Sequence, residues 1–132
     1  MLKGTRISAK QGDIAVEDLL VGDYAAVILG ETPQLVVWIG SRRINCSRHP
    51  EPEKVWPVRI RKNAFGSGRP CRDLFLSPDH AVFMNDVLIP VKYLINDNSI
   101  TQVPMDEVTY YHIELPQHDV LIAEGLPVES YL

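Results

Sequence analysis

Two short segments of the 132-residue chain hold the side chains that could do acid–base chemistry. In Leu76-Ser77-Pro78-Asp79-His80-Ala81 a hydroxyl stands three residues before an imidazole, after an apolar run and ahead of a hairpin pattern. A loop of that length can aim both groups at one backbone amide. Imidazole exchanges a proton near neutral pH, and a serine hydroxyl can hold a carbonyl or amide in place; breaking an amide bond needs both. Alone, the pattern reads rather as a Ser-Pro-Asp turn capped by a structural histidine. The second segment is Tyr110-Tyr111-His112-Ile113-Glu114-Leu115, leading to His118-Asp119-Val120-Leu121-Ile122-Ala123-Glu124-Gly125. There His112, set among apolar strand residues, reads as a satisfied core histidine.

The elements around these segments read as mainly β. No stretch of a dozen residues keeps a helical period free of Pro or Gly, and alternation with turn residues dominates. Thr5 to Ser8 and Ile14 to Val16 flank a Gly-containing turn and predict a first hairpin; Glu17 to Leu20 predicts one helical turn closed by Gly22. Strands are expected over Tyr24 to Leu29 and Leu35 to Ile39, and Arg42 to Pro57, with its His49-Pro50-Glu51-Pro52 run, reads as a long connection. Val58 to Arg61 resumes a strand, and Leu74-Phe75-Leu76 is a short buried one that delivers the chain to Ser77. Ala81 to Met84 and Val87 to Ile89 flank Asn85-Asp86, residues that tolerate the left-handed backbone of a tight hairpin. Val91 to Ile95, Ile100 to Val103 and Val108 to Leu115 complete about ten short strands, and no repeat of fixed period is visible.

Bulk properties agree with one folded domain over 1–132. The hydrophobic fraction of 45% and charged fraction of 23% exclude wholesale disorder, and the length suffices for a core without metal or disulfide staples. Apolar runs are too short or interrupted to span a bilayer, no signal-peptide layout is present, and the compartment is left open with cytoplasm the default. Charge is uneven: Arg42 to Arg72 holds nine of the 13 Lys and Arg against two acids, whereas Asp73 onward holds ten acids against Lys92. Arg59, Arg61 and Lys62 could suit nucleic acid, but two oppositely charged regions facing each other in one fold, or lying on solvated faces, is the favoured reading.

Together with Gly4-Thr5-Arg6-Ile7, the Ser77/His80 and His118 segments resemble the sequence blocks of Hint domains, the self-processing modules of inteins and Hedgehog C-terminal regions. Val16-Glu17-Asp18-Leu19, Gly22-Asp23, Trp38-Ile39-Gly40 and Ala123-Glu124-Gly125-Leu126-Pro127 extend the likeness over nearly the whole chain, and it is nearest to the bacterial Hedgehog/intein type. The resemblance implies an all-β horseshoe of short strands with pseudo-two-fold symmetry. It also implies a leading cysteine that attacks the carbonyl before it and makes a thioester, later resolved by a second nucleophile or water. In that scheme His80 assists the acyl shift by protonating the departing amide nitrogen, Ser77 stands where Thr is usual, His118 supports later steps, and Asp119 orients or deprotonates a group. The substrate is then the flanking polypeptide of the same chain, in a monomer, with no cofactor, metal, nucleic acid or membrane partner.

The departures matter as much. Met1 either replaces the leading cysteine or occupies the next position, and its thioether has no proton to lose. A chain beginning there would also have no upstream peptide bond to attack. At the other end Glu129 and Ser130 fill the places of the His-Asn pair of inteins, so Asn cyclisation and full splicing are not expected. The expectation is an autoprocessing domain that cleaves upstream in a cysteine-bearing parent and is inactive as written; the alternative is a Hint fold serving as a non-catalytic binding or structural module. Zinc on Cys46, His49, Cys71 and His80 is a weaker reading, because the second pair lacks compact ligand spacing. Either cysteine as a relocated nucleophile is weaker still. Trp38 and Trp56 read as core or edge aromatics.

Overall fold

The structure, a computed structural model, describes residues 1–131. Thirteen strands occur among the described residues: β1 Arg6–Ala9, β2 Gly12–Ala15, β3 Tyr24–Ala25, β4 Gln34–Leu35, β5 Trp38–Asn45, β6 Val58–Ile60, β7 Leu74–Leu76, β8 Ala81–Met84, β9 Val87–Pro90, β10 Ile100–Gln102, β11 Glu107–Glu114, β12 Val120–Ala123 and β13 Leu126–Glu129. Short 3-10 segments, Cys46–Arg48, Pro52–Lys54 and Val91–Leu94, fill three connections. No helix among the described residues is long and apolar enough to cross a membrane.

The largest sheet runs β4-β3-β1-β12-β13-β8-β9, with β2 hydrogen-bonded to β1. Strands from the two ends of the sequence therefore lie side by side: Ile7 of β1 opposes Ala123 of β12, and Val128 of β13 opposes Val82 of β8. β10-β6-β7 form a second sheet, and β5 and β11 a two-stranded ribbon in register from Trp38 opposite Glu114 to Asn45 opposite Glu107. The inward residues of these layers, including Ile7, Val58, Leu74, Leu76, Val82, Leu121 and Val128, are fully excluded from solvent and form one core. Each such side chain contributes about 1.5–3 kcal/mol by leaving water. A satellite cluster of Cys46, Val108 and Tyr110 packs under Trp56 and Met105, where the Tyr110 hydroxyl donates to the Val55 carbonyl at 2.6 Å.

Two tight turns set the hairpins that carry the candidate residues. Asn85 and Asp86, at φ 48° and 63°, join β8 to β9, and Glu124 and Gly125, at φ 49° and 80°, join β12 to β13. Asn and Asp take left-handed backbone cheaply and Gly without cost, so the first turn follows from its residue types. Glu124 is the unusual member, and its side chain explains the choice: it is buried between Arg6 and Arg72.

Several boundaries differ from the sequence expectation. β5 continues through Arg42 to Asn45, where a connection is expected, because β11 supplies a full-length antiparallel partner. Val91–Leu94 is a 3-10 turn instead of a strand: the amide of Val91 donates to His80 O and that of Lys92 to Pro78 O, which curls the backbone around the Ser77 loop. The expected strand from Tyr24 to Leu29 keeps only Tyr24–Ala25 plus a bridge from Val27 to Leu121. Residues Glu17 to Leu20 turn without forming a helix. The basic middle meets the acidic end directly in the Arg43–Glu107 and Arg72–Glu124 ion pairs.

Candidate active site

A cavity of about 240 Å³ opens where the first residue, the Ser77 loop and the end of β13 converge. Its walls include Met1, Ser77, His80, His112, Glu129 and Ser130. Met1 is 1% exposed, and its backbone is knitted to β11: the Tyr111 amide donates to Met1 O at 2.8 Å, and the Met1 nitrogen donates to Tyr111 O at 3.4 Å. Burial pushes the Met1 α-amino group down to about 5, so that nitrogen is neutral at pH 7.

His80 enters the cavity from a loop held at both ends. Its amide donates to Ser77 O at 3.1 Å, its carbonyl accepts from Val91, and the next amide, of Ala81, donates to Glu129 Oε1 at 3.0 Å. The imidazole Nε2 lies 2.9 Å from the Glu129 carbonyl. A carbonyl can only accept, so Nε2 carries the hydrogen and Nδ1 is left with a free lone pair. Burial is the main reason that His80 is pushed down to about 3, with the Met1 α-amino group, when protonated, and His112 acting in the same direction and the Glu129 carbonyl opposing them. At neutral pH the ring is an uncharged base.

His118 and Asp119 stand behind the cavity wall. His118 Nε2 lies 3.1 Å from Ser130 O and 3.5 Å from Glu129 Oε2, so it braces the two residues that line the cavity. The Asp119 carboxylate is saturated by nitrogen donors: Oδ1 accepts from the amides of Leu29 and Val120, and Oδ2 from the Gly30 amide and Gln34 Nε2. It fixes the 29–30 loop, while its own amide donates to Ser130 Oγ at 3.0 Å. Ser130 is 2% exposed.

The match of the Hint domain family covers residues 1–132. The chain belongs to that family. No curated protein matches the chain. Among solved structures, the Hint domain is similar to a DnaB intein from Synechocystis sp. PCC 6803 at a TM-score of 0.68 with 13% identity, covering 99% of this chain and 98% of that one. It is also similar to a bacterial intein-like domain from Clostridium thermocellum at 0.64 with 11% identity, covering 98% and 96%. At such identities these likenesses are of fold, and the all-β intein-like architecture is common to them.

Within this Hint domain, Met1, Ser77 and His80 come together at one cavity, His118 is joined to it through Glu129 and Ser130, and Asp119 is engaged with a neighbouring loop. The cysteines stay apart from it: Cys46 lies in the satellite cluster, and the Cys71 sulfur is 3.8 Å from Glu124 Oε1. No His/Cys/Asp/Glu group suited to a metal occurs among the described residues. His112 is the residue that sequence reasoning set aside. It lines the cavity with Met1, and burial holds its proton affinity below the usual imidazole range, helped by the Met1 α-amino group, when protonated, and by Arg42. The available signal was its place two residues after Tyr110, on the same side of the strand, since successive strand side chains alternate faces.

Proposed function

We propose that this Hint domain is a single self-processing unit acting on the peptide bond at the amino side of the Met1 position. It is competent when cysteine stands there and without turnover when methionine does. The observation that carries this reading is the burial of Met1 in the same cavity as Ser77 and His80, which favours Met1 as the nucleophile's place over the position next to it.

The chemistry follows from the tautomer. A cysteine thiol at this position gives its proton to His80 Nδ1, and the sulfur attacks the preceding carbonyl carbon. As the C–N bond breaks, the same proton passes from His80 to the leaving nitrogen, leaving a thioester and a free α-amine. Ser77 is the hydroxyl available to hold the scissile amide, and His112 is a second neutral imidazole for proton exchange. His118 steadies Glu129 and Ser130, and Asp119 steadies the loop behind them. Water or an external thiol then releases the upstream polypeptide. The substrate is the protein's own flanking chain, handled by a monomer that needs neither nucleic acid nor membrane. Methionine at this position has no S–H bond to ionise, which stops the sequence at its first step.

The test joins a reporter domain upstream through either Met1→Cys or a cysteine inserted before Met1, and follows release by intact mass with and without dithiothreitol. Thiol-stimulated release that vanishes with His80→Ala is expected. Absence of release from both fusions, with circular dichroism showing an intact fold, would leave a binding or structural module.

A further inference from the structure

Three rings pack in sequence, and the last two of them, Tyr131 and His112, line the cavity. Trp38 and Tyr131 have centroids 5.2 Å apart at an interplanar angle of 39°, and Tyr131 and His112 are 5.2 Å apart at 54°. The Tyr131 backbone is pinned beside them, its amide donating to Ile113 O at 2.7 Å and its residue bridged to Glu114. Directly across the ladder from His112 stands Gly40, so β5 offers no side chain to support the imidazole at that register. The Trp38 indole fills the gap instead. A Cβ on Gly40 would lie 2.1 Å from the ring, so the glycine is what lets the indole lie along the strand.

We propose that Tyr131, seated on Trp38 through the Gly40 gap, is the positioning residue of His112 and holds its imidazole at the cavity shared with Met1. The proposal rests on the self-processing reading for its catalytic consequence and on the stack alone for its structural one. An imidazole turns about two side-chain torsions, and a wall on one side does not fix it. Tyr131 supplies the opposite wall and keeps water from the ring, and offset or tilted ring pairs at this separation attract. Besides Tyr110 and Tyr131, the charged or titratable groups that share a cavity wall with His112 are the Met1 α-amino group, Arg42, Lys54, Asp79, His80 and Glu129. The two carboxylates among them have other partners, Asp79 in Lys92 Nζ at 2.7 Å and Glu129 in the Ala81 amide at 3.0 Å, so neither is aimed at drawing a protonated ring away from Tyr131. Trp38 and Tyr131 are half-exposed and sit outside the main core, which allows them to be changed without emptying it.

Two readouts test the proposal. The first follows the His112 ring proton by NMR through a pH titration of the chain with Met1 in place. Tyr131→Leu should remove the ring-current shift and raise the titration midpoint by about half a pH unit or more, as water reaches the ring, whereas Tyr131→Phe should leave both unchanged. The second measures thiol-stimulated release from the Met1→Cys fusion. Tyr131→Leu and Trp38→Leu should slow it about tenfold and shift the acid limb of the pH–rate profile, with Tyr131→Phe restoring the parent behaviour. An unchanged titration and rate in Tyr131→Leu, or equal damage from Tyr131→Phe, would overturn the assignment. If the parent fusion releases nothing, the self-processing reading fails, and the titration alone decides whether Tyr131 positions His112.

Discussion

The Nε2 atom of His80 meets the backbone carbonyl of Glu129 at 2.9 Å, joining residues 49 positions apart in the sequence. The same glutamate accepts the Ala81 amide with its side chain, so the end of β13 grips both the imidazole and the strand that follows it. The bond fixes which nitrogen carries hydrogen, and it leaves the lone pair on Nδ1.

His80→Asn in the Met1→Cys fusion is therefore expected to lower thiol-stimulated release by about a hundredfold or more, the range of a lost general acid–base group, without altering the circular dichroism spectrum. Ser77→Thr keeps a hydroxyl at the same place and should retain most of the rate; Ser77→Ala should not. Equal rates for the threonine and alanine variants would remove the hydroxyl from the mechanism.

The depressed His80 also has a stability consequence with a definite sign. Its folded value of about 3 lies below the ordinary 6.5, so the unfolded chain binds the proton more readily between those values. The contribution is fully present above pH 6.5 and is lost as pH falls. Relative to His80→Asn, the chain should lose about 2 kcal/mol of unfolding free energy between pH 6.5 and pH 5, discounted to the extent that water enters the cavity. Urea midpoints for both proteins at the two pH values measure it, and parallel losses would show that His80 is not the titrating group.

Legibility in the sequence followed how local the determining interaction was. Asn85-Asp86 between two apolar runs announced the β8–β9 hairpin, and Leu74-Phe75-Leu76 announced the strand that ends at Ser77, because turn chemistry and short apolar runs act within a few residues. Arg42 to Asn45 gave no such signal: its residues are mostly exposed, and they are a strand only because β11 pairs with them from across the sequence. Val91–Leu94 has a strand's composition but a curled path, set by bonds to Pro78 and His80. At the site, Ser77 and His80 were visible by spacing and family likeness. The placing of Met1 and the role of Tyr131 against His112 depend on contacts between chain ends, which no local pattern encodes.

Asp119→Asn is expected to cost about 2 kcal/mol, because one amide NH2 must face backbone donors that now meet oxygen. The loss should be local. Hydrogen exchange at Leu29 and Gly30, whose amides reach Asp119 at 3.0 Å each, should accelerate well before that of the central strands. Unchanged exchange at those two amides would show that the loop is held by other contacts.

Glu124 couples the β12–β13 turn to the segment that leads from Met1. Its side chain is 1% exposed; Oε1 accepts from Arg6 Nε at 3.0 Å and Arg72 Nε at 3.1 Å, and Oε2 accepts the Arg6 amide at 2.8 Å. Arg72 continues to the Gly4 carbonyl at 3.0 Å, three residues from Met1. Burial alone would raise the carboxyl's proton affinity, but the Arg72 hydrogen bond and the Arg6 amide and guanidinium outweigh it and hold Glu124 below the usual carboxylate value of 4.5. Its contribution is thus present above about pH 4.5 and lost as pH falls through the depressed folded value. Glu124→Gln keeps the shape, strands two guanidinium groups that are partly free to rehydrate, and should cost about 2 kcal/mol at pH 7. At pH 3 the two proteins should be closer in stability than at pH 7, because below about pH 4.5 the unfolded parent chain takes up the proton that the folded carboxylate resists. Denaturant midpoints at pH 7 and pH 3 measure the difference, and a gap that persists undiminished at pH 3 would assign the cost to packing at the turn instead of to the ion pairs.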